Sequence, residues 1–240
     1  MYMRLSILGI ILCSFLVAQN NTLNEVHTFQ TFLKDAPITS KPYAEAGLNY
    51  SSYENWSQFG LGVQGGYPVN PQFEVGGYLG FLNLSPDEGD GESGITDVTV
   101  AARYNLLPAT PLISAGAYLT LPIGSEDIGQ ENFDYGAFGA LRHGLNNGLV
   151  VTATVGLDFL ERWHGRDVAS HIAAGGIYPV NAQLNVIGEL NFRTDYDYTV
   201  LSVGGDYLLN IGGRVRGALG IGLEDGAPDL MIVAGYLHIF

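Results

Sequence analysis

The chain has little of what a soluble acidic protein usually carries. Only 14% of its 240 residues are charged, and just two of those, Lys34 and Lys41, are lysines. Mean hydropathy is nevertheless slightly positive although the formal charge is −14. An excess of acid argues against nucleic acid as a partner. A low density of charge argues against a protein held in solution by its surface. The combination suits a wall that faces lipid, joined by acidic loops. Cysteine is almost absent: Cys13 is the single thiol, and Leu12 stands where a lipoprotein signal needs a small residue. Disulfides therefore contribute nothing to stability.

Long apolar runs are lacking too. The one candidate is Leu5 to Val17, 13 residues after Met1-Tyr2-Met3-Arg4 and before Ala18-Gln19-Asn20. That is short for a membrane helix and fits the h-region of a secretory signal, so residues 1–18 are expected to be a signal peptide. With no further run near 18 residues, transmembrane helices are excluded.

What is present is glycine (33 residues), tyrosine (14) and alternation. Glycine at that level weakens helices. Residues 19–41 show no sustained period and are expected as a periplasmic N-terminal segment, with one short helix around Glu25 to Leu33. From Pro42 to the end the period is two. Val98, Val100, Ala102 and Tyr104 alternate with Asp97, Thr99, Ala101 and Arg103; Val151, Ala153, Val155, Leu157 and Phe159 alternate with Thr152, Thr154, Gly156 and Asp158. Such a segment has one apolar and one polar face. In Phe73 to Phe81 only Tyr78 breaks the split.

A soluble β-sandwich also alternates, but two details set this chain apart. The polar face holds Gly, Ser and Thr with isolated charges. Aromatic residues end the apolar stripes: Tyr67, Phe73, Tyr104, Tyr178, Tyr207 and Phe240 at one rim, and Phe59, Phe81, Tyr135, Phe159 and Phe192 at the other. Two aromatic girdles around an aliphatic band are what a transmembrane barrel requires. Connections alternate short (69–71, 108–111, 144–148, 180–182, 210–213) and longer (85–94, 124–132, 161–167, 195–197, 224–229), placing the short ones in the periplasm. The spacing predicts an all-β, antiparallel up-and-down transmembrane β-barrel over 42–240. Its strand cores are 43–52, 57–67, 72–83, 95–106, 112–122, 133–142, 149–159, 168–178, 184–193, 199–209, 214–223 and 230–240. Twelve strands return both termini to the periplasm of a double-membraned bacterium. Tyr67 to Phe81 also parallels Tyr178 to Phe192 at nine of fifteen positions, through hairpin duplication or through convergence on one turn.

Parity directs Glu74, Asp97, Arg103, Asp134, Arg142, Asp158, Glu189, Asp206, Arg214 and Arg216 into the lumen. The four arginines fall near periplasmic strand ends. Two readings stand: they pair with Glu45, Glu74, Glu189 and Asp206 to fill the interior, or they form a constriction that selects solutes, with Arg103, Arg142, Arg216, Glu74, Glu189, Asp97 and Asp134 as its candidates. Fifteen of the 24 acids lie in outer loops; Asp87 to Glu92 has the oxygen density for Ca²⁺ but not the spacing of an EF-hand, so a solvated rim beside lipopolysaccharide is expected and no metal site. His27, His143, His164, His171 and His238 form no metal motif. Ser170 and His171 are adjacent and face opposite sides; His143 with Ser114 is the one pair that could meet across strands, and nothing else supports it. No enzyme activity and no cofactor are expected. The terminal Leu230 to Phe240, with Tyr236 and Phe240 in phase, is similar to the signal read by the outer-membrane barrel assembly machinery; His238 departs from it.

Gly94-Ile95-Thr96-Asp97 running to Arg103-Tyr104, then Ala117 to Leu121-Pro122-Ile123-Gly124, resembles the outer-membrane transporters related to the meta-pathway phenol-degradation proteins, with Ile123 in place of the usual Thr. The match is good over about 94–160. The resemblance implies passive uptake of small, hydrophobic or aromatic solutes. A structural or adhesion barrel plugged by its own side chains, and a lipid-modifying outer-membrane enzyme, are the alternatives.

Overall fold

The computed structural model describes residues 24–162 and 165–240. The expected signal peptide, Cys13 and His164 lie outside the described residues. Alternation produces strands nearly throughout: β1 (Tyr43–Tyr53), β2 (Trp56–Asn70), β3 (Phe73–Pro86), β4 (Glu92–Ile95), β5 (Val98–Leu107), β6 (Leu112–Leu121), β7 (Asp134–Gly144), β8 (Val150–Arg162), β9 (Gly165–Pro179), β10 (Leu184–Arg193), β11 (Tyr198–Leu208), β12 (Gly213–Gly222) and β13 (Leu230–Ile239). The pairings are all antiparallel, and β1 pairs with both β2 and β13, which closes the barrel.

β4 and β5 share one place in the wall. β3 pairs with β4 through Phe81–Leu84 and with β5 through Phe73–Tyr78, so the wall has twelve positions. The single strand expected at 95–106 is broken at Thr96–Asp97. Local hydrogen bonding explains the break. Thr96 N donates to Gly80 O and Gly80 N donates to Thr96 Oγ1, both at 2.9 Å, so a side chain takes one backbone place in the ladder. Asp97 turns to the 124–132 loop and accepts from Gly124 N (2.9 Å) and Gln130 N (2.8 Å). The loop expected at 161–167 is mostly ladder, since Arg162 still pairs with Gly165.

The outward face is an aliphatic band: Leu61, Val63, Leu79, Val100, Val155, Leu157, Val203 and Leu219 are all exposed. In water that much exposed apolar surface would drive association; in a bilayer it is the solvated face. The rim aromatics lie at the strand ends, with Phe73 opposite Tyr104 and Tyr135 stacked on Phe159 at 5.1 Å. Tyr78, the exception to the alternation, follows it after all. Its ring turns inward and occupies the space above Gly62 and Gly80, where an added Cβ would come within 2.8 and 2.2 Å of it.

The two related hairpins behave alike. Asn70 Oδ1 accepts from Gln72 N (2.8 Å), and Asn181 Oδ1 accepts from Gln183 N (2.9 Å). The carbonyls of Gln72 and Gln183 then accept from Asn105 N and Leu208 N in the next strand, both at 2.8 Å.

The chain before β1 departs from expectation. Val26, His27, Thr28, Asp35 and Ala36 are fully buried inside the barrel, and a 3-10 turn forms at Phe32–Lys34. The reason is apolar. Val26 packs on Val150, Ile177 and Ile187; Phe32 on Tyr43 and Leu237; Ala36 on Phe138 and Ala140. These partners sit at lumen-facing positions, where an open barrel would leave them in water. Docking the segment removes both surfaces from water at about 25 cal/mol per Å². Residues 24–41 are therefore a plug in the periplasmic half rather than a free periplasmic segment.

Candidate functional site: a clamped plug beneath an outer vestibule

All ten charged residues assigned to the lumen by parity face it, and all ten are buried. Three of the four arginines, Arg103, Arg142 and Arg216, clamp the plug. Arg103, on β5, donates to Glu74 of β3, to the Tyr43 hydroxyl (3.0 Å) and to the Asp35 carbonyl (2.9 Å). Arg142, on β7, donates to the Asp35 carboxylate and to the Val26 carbonyl (2.9 Å). Arg216, on β12, donates to Glu45 of β1 and to the carbonyls of His27 (2.5 Å) and Thr28 (3.0 Å). Its guanidinium also lies over the Phe29 ring at 4.7 Å. Arg214 donates to Asp206 at 2.7 Å and braces the same wall. A planar guanidinium carries five fixed donors, so Arg103 and Arg216 each hold a wall carboxylate and a plug carbonyl together, while Arg142 holds a carboxylate and a carbonyl of the plug.

Of the expected acid partners, Glu45, Glu74 and Asp206 take arginines. Glu189 does not. It accepts from the plug backbone instead, from Phe29 N (2.5 Å) and Gln30 N (3.2 Å), and from the Thr31 hydroxyl (3.3 Å). Asp35, assigned to a periplasmic segment by its place in the sequence, is the residue that reasoning missed. It accepts from Arg142, from Thr152 Oγ1 (3.0 Å) and from Ala36 N (2.7 Å). The signal that could have revealed a plug was the apolar residues Phe138, Val150, Ile177 and Leu237 at lumen parity near one rim.

His27 sits at the centre of the plug, in the segment before the first spanning strand. It stacks on Tyr43 at 4.6 Å and lies 4.7 Å from Phe32. Neither ring nitrogen has a partner. Burial, then the guanidiniums of Arg103, Arg216, Arg142 and Arg214, hold its pKa well below the ordinary histidine value, so the docked plug carries a neutral ring.

Above the plug the outer half of the lumen is hollow. One cavity, about 430 Å³, is bounded by the plug residues Phe29–Thr31 and by β1, β2, β9, β10 and β13. A second, about 400 Å³, lies toward β5–β8 and includes Asp97 and Asp134. Lys34 and Arg193 line both. Between the cavities Asp158 accepts from Tyr118 Oη (2.6 Å), His171 Nδ1 (3.0 Å) and Lys34 Nζ (3.4 Å).

Asp97 and Asp134 are thus outer-rim residues, far along the barrel from the arginines. Asp134 accepts from Glu161 N of β8 at 2.8 Å, whereas Asp97 ties a loop. Ser114 and His143 are not brought together: Ser114 faces the lumen and donates to Ala36 O (2.5 Å), while His143 is on the opposite parity of its strand. Tyr236 and Phe240 stand on the lipid-facing side at the periplasmic end, and Phe240 N donates to Pro42 O at 2.9 Å.

The fold is similar to that of solved outer-membrane barrels. The COG4313 outer membrane channel from Pseudomonas putida F1 superposes with a TM-score of 0.70 at 15% identity, covering 90% of this chain and 100% of that one. Two porins, NanC and KdgM in complex with disordered oligogalacturonate, give TM-scores of 0.58 and 0.57 at 12% identity, each covering 82% of this chain and 99% of the other. No curated protein sequence matches the chain. A family model described as "Putative MetA-pathway of phenol degradation" matches residues 35–237, from the clamped Asp35 to Leu237 of β13, and the chain belongs to that family.

Proposed function

We propose that the protein is an outer-membrane channel for passive uptake of small solutes, hydrophobic or aromatic ones included. One observation carries this reading: the lumen is hollow and open toward the outer loops but filled by residues 24–41 toward the periplasm. A barrel that served only as an anchor has no need of two cavities above a separately clamped segment. Family membership and the fold of the channel from Pseudomonas putida support the same reading. Arg103, Arg142 and Arg216 act in it as the holders of the plug, and once the plug moves they become the cationic lining of the path. Lipid and lipopolysaccharide surround the wall, and Tyr236 with Phe240 serve as the mark read by the barrel assembly machinery.

A second reading, a structural barrel plugged for good, is favoured by the number of buried hydrogen bonds that hold residues 26–36. Planar-bilayer conductance and liposome swelling of the purified full chain separate the two. Solute-dependent swelling supports the channel. Silent bilayers and no swelling, from barrels that are folded by heat-modifiable migration, leave the permanent plug.

A further inference from the structure

Three ion pairs around the outer vestibule point the same way. Lys34 pairs with Asp158 at 3.4 Å, Arg162 with Asp134 at 3.8 Å and Arg193 with Asp195 at 2.6 Å. In each the acid is the hidden partner. Lys34, Arg162 and Arg193 are 25, 21 and 40% exposed, against 1, 7 and 8% for Asp158, Asp134 and Asp195. All three cations line the second cavity, and Lys34 and Arg193 line the larger one too. A solute beside such a pair meets its cationic end first, and at short range the nearer charge dominates. The chain carries a formal charge of −14, yet the charges turned toward the vestibule floor are positive.

The acids on these walls are engaged by the protein itself. Asp158 accepts from Tyr118 and His171 as well as from Lys34, Asp97 accepts from two backbone amides of the 124–132 loop, and Glu45 is held by Arg216. The cations have donors to spare. Arg193 uses Nε and Nη2 on Asp195 and has Nη1 left to give. The Lys34 ammonium has three N–H groups and makes one hydrogen bond, to Asp158, while lying 4.3 Å from the centre of the Tyr118 ring. Burial, and after it the charge of Arg193, hold the Lys34 pKa below the ordinary lysine value, with Asp158 opposing. Lys34 and Arg193 thus stand within each other's field, and an anion between them relieves both. Phe29, Met231 and Val233 of the larger cavity offer that anion an apolar lining, which suits an organic body rather than a bare inorganic ion.

We propose that the vestibule is a receiving site for small organic carboxylates, with Lys34 of the plug and Arg193 of β10 gripping the carboxylate and Arg162 of β8 drawing it in. The proposal rests on the channel reading in taking the vestibule as the way in for a solute, and it adds the sign of that solute's charge. Cations gathered in a cleft between low-dielectric walls focus their field on the entering anion. Lys34 adjoins the clamped Asp35, so the carboxylate is held against the plug itself.

The test is calorimetric titration of the full-length barrel in nonionic micelles at low salt with pentanoate, pentanamide, pentylammonium and inorganic phosphate. Saturable binding of pentanoate, with the other three weaker or silent, supports the site. Arg193→Gln, in the wall, and Lys34→Gln, in the plug, should each weaken pentanoate binding about tenfold, as expected for one lost charge-assisted hydrogen bond. Two variants on separate elements keep the test open if one of them fails to give a heat-modifiable barrel. The proposal is overturned if pentanoate does not saturate, if any of the other three binds as tightly, or if either folded variant binds undiminished. Liposome swelling read in parallel keeps the two ideas apart. Binding without swelling upholds the site and ends the channel reading; swelling without binding does the reverse.

Discussion

Arg142 donates to the carboxylate of Asp35, a residue 107 positions earlier in the chain, and both side chains are almost completely buried. One belongs to the wall and the other to the plug, so this pair converts a loose N-terminal stretch into a stopper. Removing one partner leaves a buried charge unanswered, which costs about 3–5 kcal/mol.

That cost is asymmetric between barrel and plug. The barrel keeps its ladder, so Arg142→Ala and Asp35→Ala should both migrate as folded, heat-modifiable barrels with raised conductance. Their double variant should open little more than either alone, because the two residues act as one unit. If both single variants conduct as the wild type does, the plug is not the gate.

Arg103 and Arg216 serve the same clamp but also face the space that the plug would vacate. In a plug-released background such as Asp35→Ala, reversal potentials in a salt gradient should show a shift toward cations for Arg103→Ala. A guanidinium in a narrow lumen sets the local field even against an acidic total. An unchanged reversal potential from folded barrels would restrict the arginines to bracing.

His27 makes plug docking dependent on pH. Its pKa in the docked state is lowered well below the ordinary value near 6.5. Protons therefore bind the released segment more readily than the docked one. Docking is at full strength above about pH 6.5 and weakens as pH falls below it, by about 1.4 kcal/mol per pH unit until the docked ring itself protonates. Conductance of the wild type should rise between pH 6.5 and pH 5. The His27→Phe variant, which keeps the stack between Tyr43 and Phe32, should lose most of that rise. An equal rise in the variant would assign the effect to other groups.

The lipid-facing wall predicts a depth-dependent penalty. Val155, midway along β8, is 59% exposed to the surroundings, and Ile211, in a periplasmic turn, is 76% exposed. Val155→Arg should cost about 2–4 kcal/mol of folding free energy in liposomes, and Ile211→Arg about 0–1. Equal costs in guanidinium titrations would contradict a bilayer around β8.

The strands, their facing and the two girdles were legible in the sequence because period two is a local property. Each residue's side is set by its neighbours, and a one-residue slip would turn a whole stripe from lipid to lumen. The same parity puts ten charged residues on the polar face, and the structure has all ten buried. The break at Thr96–Asp97 was not legible, because it depends on Gly80 and on a loop some thirty residues later accepting a side chain in place of backbone.

The sequence by itself determined the wall, since alternation and strand length need only local chemistry and a bilayer to act on. Tertiary structure alone decided what fills it. Residues 24–41 have no period that reveals their place, and Asp35 reads as a loop acid until Arg142 and Thr152 stand beside it. Only when the barrel closes do Val150, Ile177, Phe138 and the four arginines converge on one space. The plug is then drawn in because it covers those apolar faces and because Asp35 and the carbonyls of Val26, His27 and Thr28 take up guanidinium donors beside the wall carboxylates.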